Sequence, residues 1–363
     1  MGGLFFALKT YTDFKSATGR VTNLPGVQTT PSSESSKSEP SSIPQVSVVA
    51  TGLEIPWALD FLPDGVILFT ERPGKVRLID SSGNLQSKPV ATLTDVKPIG
   101  EGGLLGLALH PDFVNNHFVY LYYTYSSNGS DTLNKVVRFR FDSKTSGLQE
   151  QTTILDNIPG SSNHNGGRIK FGPDKNLYIT TGDAENPSQA QDTQSLAGKI
   201  LRINPHRGKV EVYSYGHRNP QGITWDNDGN LWEVEHGQTA TDEVNKITPG
   251  KNYGWPIIRG DEIKPGMENP VEHSGSITWA PAGLTFHNGS FFFGGLRGQA
   301  LYELSVDGEY PDLKEHFKGQ FGRIRDVVLG PDNMLYITTS NRDGRGSPAP
   351  DDDKIIRINP NSL

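Results

Sequence analysis

Four stretches of this 363-residue chain carry side chains able to do chemistry. The first, Ser162-Asn-His-Asn-Gly-Gly-Arg168, sets a histidine among glycines that let backbone come close to a ligand. Histidine is the side chain whose ordinary pKa suits proton transfer near neutrality, so His164 reads either as a general base or as a structural residue. The second, Tyr215-Gly-His-Arg-Asn-Pro-Gln-Gly222, offers a cation at Arg218 and an amide at Asn219; the plainer reading is a turn-stabilising arginine. The third runs Glu235-His-Gly-Gln-Thr-Ala-Thr-Asp-Glu243 and is followed by Asn252-Tyr-Gly-Trp-Pro256. It supplies carboxylates, loop carbonyls and a tyrosine, the hard oxygen donors that Ca²⁺ prefers, without EF-hand spacing. Acidic loops of this kind are also often simply solvated. In the fourth, Phe321-Gly-Arg-Ile-Arg-Asp326, strand alternation puts Arg323 and Arg325 on one side, which suits a ligand with several carboxylates.

The elements that must position these residues repeat. Phe61-Leu-Pro-Asp-Gly65 leads into VILFTE and KVRLID, and Phe171-Gly-Pro-Asp-Lys175 into NLYITTGD and KILRINP. Leu329-Gly-Pro-Asp-Asn333 leads into MLYITTSN and KIIRINP, and three further units follow the same plan. Each is a tight turn, an alternating apolar strand, a polar loop and a second strand. The equivalent turn positions 64, 112, 174, 228, 289 and 332 lie 48, 62, 54, 61 and 43 residues apart. Such periods mark propeller blades, and no long amphipathic helical stretch separates the strands. The fold class is therefore all-β, a six-bladed β-propeller. The early strand around Gln45–Thr51 should join the last blade and close the ring, leaving no long unpaired edge. Sites on propellers sit on loops at one face, around the central channel, which is where the four stretches should meet.

Composition agrees. With 41 Gly and 25 Pro, these two residues make up about 18 % of the chain against a usual ~12 %, which suits strands and turns over a helical bundle. No cysteine is present, which removes disulfides, thiolate metal sites and thiol nucleophiles. The net charge of −7, from 34 Lys and Arg against 41 Asp and Glu, argues against nucleic acid as a partner. From Pro31 to Pro44, ten of fourteen residues are Ser or Pro, a composition expected to stay disordered. We therefore expect a tail over residues 1–44 and the folded propeller over 45–363. The apolar stretch Leu4–Leu8 before that linker is short for a signal peptide. The layout suits a domain held outside the cell membrane and equally a plain disordered tail; the expectation taken forward is an extracytoplasmic location.

In order along the chain, EIPWALDFLPDG, EGGLLGLALHPDF, NHNGGRIKFGPDKNLYITTGD, LAGKILRINP, YGHRNPQGITW, DEVNKITPGKNYGWP and GRIRDVVLGPD closely resemble the soluble quinoprotein sugar dehydrogenases. These are the glucose and aldose dehydrogenases that depend on pyrroloquinoline quinone (PQQ). The resemblance spans about Val46 to Pro360, and the combination of HNGGR, GHRNPQG and NYGWP is its most specific part. It implies a six-bladed propeller that binds PQQ and Ca²⁺ and oxidises the C1 hydroxyl of aldoses to lactones. Electrons then pass to an external acceptor. By motif, His164 would be the general base and Arg218 would stabilise charge on the quinone oxygen. Asn219, Arg323, Arg325, Arg297 and Thr278 would contact the cofactor. The carbonyls of Gly237 and Gln238 would hold the Ca²⁺ that also binds PQQ, and Glu243 and Tyr253 resemble ligands of a second, structural Ca²⁺.

Two positions depart from the glucose-enzyme pattern. Glu101, in the expected substrate position, stands where those enzymes carry a glutamine, and Asn163 precedes the histidine where they carry an aspartate. The shorter middle loops favour the monomeric, broad-specificity aldose branch, acting on mono- or disaccharides. The alternatives weighed are a Ca²⁺-dependent lactonase-type hydrolase and a non-catalytic extracellular binding propeller. The first would need acidic and amide ligands where this chain has arginines; the second would be expected to lack His164 or Arg218.

Overall fold

A computed structural model describes residues 44–205 and 208–363. The expected tail lies outside the described residues except for Pro44. Six four-stranded antiparallel sheets make up the structure. Blade 1 is built of Pro56–Phe61, Ile67–Glu71, Lys75–Ile79 and Ala91–Thr92, and blade 2 of Leu104–Leu109, Phe118–Tyr125, Leu133–Asp142 and Gly147–Pro159. Blade 3 comprises Ile169–Phe171, Leu177–Thr181, Lys199–Ile203 and Val210–Tyr215; blade 4 comprises Pro220–Trp225, Leu231–Glu235, Glu243–Ile247 and Glu272–His273. Blade 5 consists of Pro281–His287, Ser290–Gly295, Leu301–Ser305 and Asp312–His316. Blade 6 takes Ile324–Leu329, Leu335–Thr339 and Ile355–Ile358 from the C-terminal end of the chain.

Its fourth, outer strand is Val46–Ala50, paired antiparallel with Ile355–Ile358 in the register Val46↔Ile358 and Val48↔Ile356. The first and last strands of the fold thus share one sheet, as expected of a ring that closes on itself and hides its edge. First strands of successive blades lie side by side around the axis. Apolar residues between blade faces, among them Trp57, Phe69, Tyr122, Ile200, Phe293 and Ile337, are almost entirely buried.

The turns follow the sequence pattern with one difference. Gly65, Gly229 and Asn333 take positive φ values of 84°, 80° and 59°, as tight hairpins of this type require. In blade 2 the equivalent Pro111-Asp112 turn runs into a four-residue helical turn, Phe113–Asn116, ending on His117 at φ 55°. This hairpin has a longer link to close, and the His110 Nδ1 atom accepts the Asp112 N–H at 3.0 Å as it does so. Among the described residues, no helix is long and apolar enough to cross a membrane.

Candidate functional site

A cavity of about 510 Å³ opens at one face of the ring, within the range usual for small-molecule sites. Its walls are loops that link successive blades and loops that join the second and third strands within a blade. Trp57, Gln221 and Arg325, on first strands of blades 1, 4 and 6, also line it.

His164 sits in the link from blade 2 to blade 3 with φ 56°. Its Nδ1 lies 2.8 Å from Oδ1 of Asp183, a carboxylate with no exposed surface that accepts the Trp255 indole N–H on its other oxygen at 2.8 Å. A carboxylate at Nδ1 fixes the tautomer with the proton there, leaving Nε2 as the basic nitrogen on the side of the cavity. The backbone N–H of His164 donates to Oε2 of Glu101 at 3.1 Å. The two glycines that follow serve the protein's own packing more than a ligand. A Cβ on Gly166 would stand 2.6 Å from the Thr180 carbonyl, and one on Gly167 would stand 2.7 Å from Leu105.

Arg218 is clamped from behind. Its N–H donates to Glu235 Oε2 at 2.6 Å, its carbonyl accepts the Asp183 N–H at 2.8 Å, and its Nη1 donates to the His236 carbonyl at 3.2 Å. Asn219, expected to touch a cofactor, is instead fully buried and does not line the cavity. Its Oδ1 accepts the Gly166 N–H at 3.1 Å and the Gln221 amide at 3.2 Å, so the carboxamide braces the histidine loop from beneath.

Arg323 and Arg325 both face the cavity, as strand alternation predicts. Arg323 is already engaged, pairing with Asp343 at 2.8 Å and donating to the Leu296 carbonyl at 3.0 Å. Arg325 donates to Gln221 Oε1 at 2.8 Å and keeps a buried Nε without a partner; so does Arg218. Burial pulls the Arg325 guanidinium down to about 9, against the pull of Asp343, the state of a cation short of a counter-anion. Arg297 lies exposed at the rim, and the Thr278 hydroxyl donates to the Thr239 carbonyl at 2.8 Å. In all, five arginines face the cavity (Arg218, Arg297, Arg323, Arg325 and Arg345) against two carboxylates, Glu101 and Asp242. The surplus of positive charge, with two guanidinium nitrogens unpartnered, fits a ligand carrying several carboxylates.

The blade 4 loop supplies the hard donors. Asp242 accepts the N–H of Gly237 at 2.9 Å on one oxygen and those of Trp279 and Ala280 at 2.7 and 2.8 Å on the other, pinning two loops together. No described donor reaches the carbonyls of Gly237 or Gln238, which border the cavity. Two unsatisfied carbonyls beside an arginine-rich anion site fit a Ca²⁺ shared with an anionic ligand. His236 donates Nε2–H to the Pro281 carbonyl at 3.0 Å, and burial, only partly opposed by Asp242, pulls it down to about 4, so it is neutral at pH 7.

Glu243 and Tyr253 meet at a second, much smaller cavity of about 20 Å³, also bordered by Glu235. Strand register pairs Glu233 with Asn245 and Glu235 with Glu243 on one buried face. Burial and the neighbouring Glu235 push the Glu243 carboxyl up to about 8, and Glu233 is also raised well above the usual range. Glu233 Oε1 and Asn245 Oδ1 have no partner. This surplus of buried acid fits a cation. The Tyr253 hydroxyl does not serve it, because it is spent on the Lys246 carbonyl at 2.7 Å and the Thr248 N–H at 2.8 Å; only its carbonyl is left to coordinate.

Several cavity residues escaped sequence reasoning. Asp183 closes the strand TTGD in blade 3, the repeat position held by Asn341 in blade 6, and that parallel is the one signal that could have drawn attention to it. Trp57 and Arg345 come from outside the four stretches, in blades 1 and 6, while Gln221, His236 and Asp242 lie within two of them without having been singled out. Glu101 does border the cavity, ion-paired with Arg345 at 2.5 Å.

Comparison with known proteins shows the family and the fold. The family model described as glucose / sorbosone dehydrogenase matches residues 53–356. The chain is 32 % identical over 340 residues to the aldose sugar dehydrogenase YliI of Escherichia coli K12, covering 82 % of this chain and 91 % of that one. It is 34 % identical over 254 residues to quinoprotein glucose dehydrogenase B of Acinetobacter calcoaceticus, covering 59 % and 52 %. The structure of the PQQ-bound aldose sugar dehydrogenase of Streptomyces coelicolor superposes with a TM-score of 0.79 at 39 % identity, over 86 % of this chain and 97 % of the other.

Proposed function

Since the chain belongs to the glucose / sorbosone dehydrogenase family, we propose that it oxidises the C1 hydroxyl of aldose sugars to lactones, with PQQ and Ca²⁺ as cofactors and an external electron acceptor. The single observation that carries this reading is the Asp183-oriented His164 facing a cavity in which Arg218 and Arg325 keep unpartnered guanidinium nitrogens. PQQ bound there would supply a two-electron acceptor for the C1 hydride, and Ca²⁺ held by the Gly237 and Gln238 carbonyls would supply a Lewis acid.

The chain's own residues do the rest. His164 Nε2 accepts the C1 hydroxyl proton, and Asp183 stabilises the resulting imidazolium. Arg218 and Arg325, largely buried at the cavity, bind negative charge where such contacts act more strongly than in bulk water. Glu101 accepts hydrogen bonds from sugar hydroxyls, and Arg323, Arg297 and Thr278 border the same cavity. Glu243 and the Tyr253 carbonyl hold a second, structural Ca²⁺ behind the site. The Ser/Pro segment after the apolar N-terminal residues supports an extracytoplasmic location. The negative net charge supports the exclusion of nucleic acid, and the short loops support a monomer.

The hydrolase alternative is not favoured, because the cavity is dominated by arginines; the binding-module alternative is not favoured, because His164 and its orienting carboxylate are intact. Reconstitution tests the reading. Purified protein with PQQ and Ca²⁺ should reduce a redox dye when glucose, galactose, xylose or maltose is added. Dye left oxidised with every aldose, or lactone hydrolysis without PQQ, would overturn it.

A further inference from the structure

Arg345 stands apart from the other four cavity arginines. It comes from the loop between Leu335–Thr339 and Ile355–Ile358 of blade 6 and reaches across the mouth to two other loops. Its Nη1 donates to Glu101 Oε1 at 2.5 Å and its Nη2 to Asn163 Oδ1 at 2.8 Å. The base of this bridge is fixed, since Arg345 N–H donates to Asp343 Oδ1 at 2.9 Å while the other oxygen of Asp343 holds Arg323. Glu101 in turn accepts the N–H of His164 at 3.1 Å and the amide of Asn219 at 3.5 Å. Its side chain is 19 % exposed and that of Arg345 52 % exposed, so the pair lies at the solvent side of the cavity. Glu101 and Asn163 are also the two positions where the sequence departs from the glucose-enzyme pattern, and Arg345 bonds to both.

We propose, building on the aldose dehydrogenase reading, that the Glu101–Arg345 ion pair sets substrate charge preference: each partner cancels the other's charge on their side of the mouth, so the site takes uncharged aldoses and discriminates against aldoses bearing a carboxylate, such as hexuronic acids. The inner arginines serve the anionic cofactor, and Asp343 already answers Arg323. On its side of the mouth the charge facing a sugar is that of this pair, while Arg297 stays exposed at the rim on the blade 5 side. Paired, neither residue offers a sugar carboxylate a free counter-charge, so such a carboxylate would give up water without compensation. Removing either partner should unmask the other, with opposite effects.

The test compares kcat/KM for glucuronate and glucose in the PQQ- and Ca²⁺-loaded wild type, Glu101→Gln and Arg345→Gln. The Glu101→Gln variant should raise the glucuronate-to-glucose ratio about tenfold and Arg345→Gln should lower it by a similar factor. Both shifts should shrink in high salt, because the mouth is open to solvent. Titration of the cofactor-free protein with PQQ, followed by tryptophan fluorescence, should give affinities within about twofold of wild type for both variants. Ratios that stay put, or move the same way in both variants, overturn the proposal, because a merely structural pair would affect the two sugars alike. Wild-type protein that oxidises neither glucose nor any other aldose would instead overturn the dehydrogenase reading, and the inference with it.

Discussion

Asp183 Oδ1 lies 2.8 Å from His164 Nδ1, and the same carboxylate takes the indole N–H of Trp255 on its second oxygen. One residue at the end of a blade 3 strand thus ties the histidine of an inter-blade loop to the Asn-Tyr-Gly-Trp-Pro segment that follows blade 4's third strand. This contact fixes which imidazole nitrogen can act as a base. Asp183→Asn should therefore lower kcat by roughly 10²- to 10⁴-fold with little change in PQQ affinity. Steady-state kinetics with a fluorescence titration of the cofactor separates the two effects. A variant with wild-type turnover would remove Asp183 from the mechanism.

His164→Gln should also lower turnover far more than it weakens PQQ binding, because its Nε2 is assigned to the substrate proton and its backbone contacts survive the change. Comparable losses in both measurements would reassign His164 to cofactor binding.

Arg325 carries a charge that burial depresses to about 9 and that no anion in the protein fully answers. Ligand binding to the folded state alone should raise stability by about 2.7 kcal/mol at a hundredfold excess over Kd. PQQ should thus raise the melting temperature of the wild type clearly and that of Arg325→Met much less. Differential scanning calorimetry reads both. Equal shifts would place the cofactor elsewhere.

The Ca²⁺ assignment depends on a tight loop. At Gly237 an added Cβ would stand 2.0 Å from the Ala240 carbonyl and 2.4 Å from that of Thr241, so Gly237→Ala must displace the carbonyls proposed as ligands. Chelation should abolish dye reduction by the wild type and added Ca²⁺ should restore it, while Gly237→Ala should need much more Ca²⁺ for the same rate. Full activity after exhaustive chelation would rule the metal out.

Glu101 also gives a pH signature. Burial opposes its ionisation, but His236, Arg345 and the His164 N–H together hold its carboxyl at about 2, below the ordinary 4.5. A depressed carboxylate stabilises the fold above its unfolded pKa and loses that contribution as pH falls toward the folded one. Wild type should therefore lose more stability than Glu101→Gln between about pH 4.5 and pH 2 in acid titrations followed by circular dichroism. Parallel curves would show that the ion pair contributes nothing there.

The fold was legible because its signals are local. Turn residues at Asp64, Asp174 and Asp332, followed by alternating strands, mark each blade within a dozen residues, and even ring closure by Val46–Ala50 follows from the need to hide an edge. The site was legible only where one loop holds a whole motif, as around His164 and Arg218. Asp183, Asp242 and Arg345 act through partners 19, 37 and 244 residues away, and neither alternation nor composition encodes such distances. Asn219 shows the converse: a motif amide next to a cavity arginine is buried, its carboxamide oxygen taken up by the Gly166 N–H and the Gln221 amide.

The central claim is oxidation at C1 with His164 taking the proton, and one measurement tests it most directly. Holo-protein prepared with PQQ and Ca²⁺ is mixed anaerobically with glucose or with 1-deuterated glucose, and the reduction rate and sugar product are determined in a single turnover. The account predicts a lactone as product and slower reduction with the deuterated sugar. An unchanged sugar, or a product oxidised at any carbon other than C1, would contradict it.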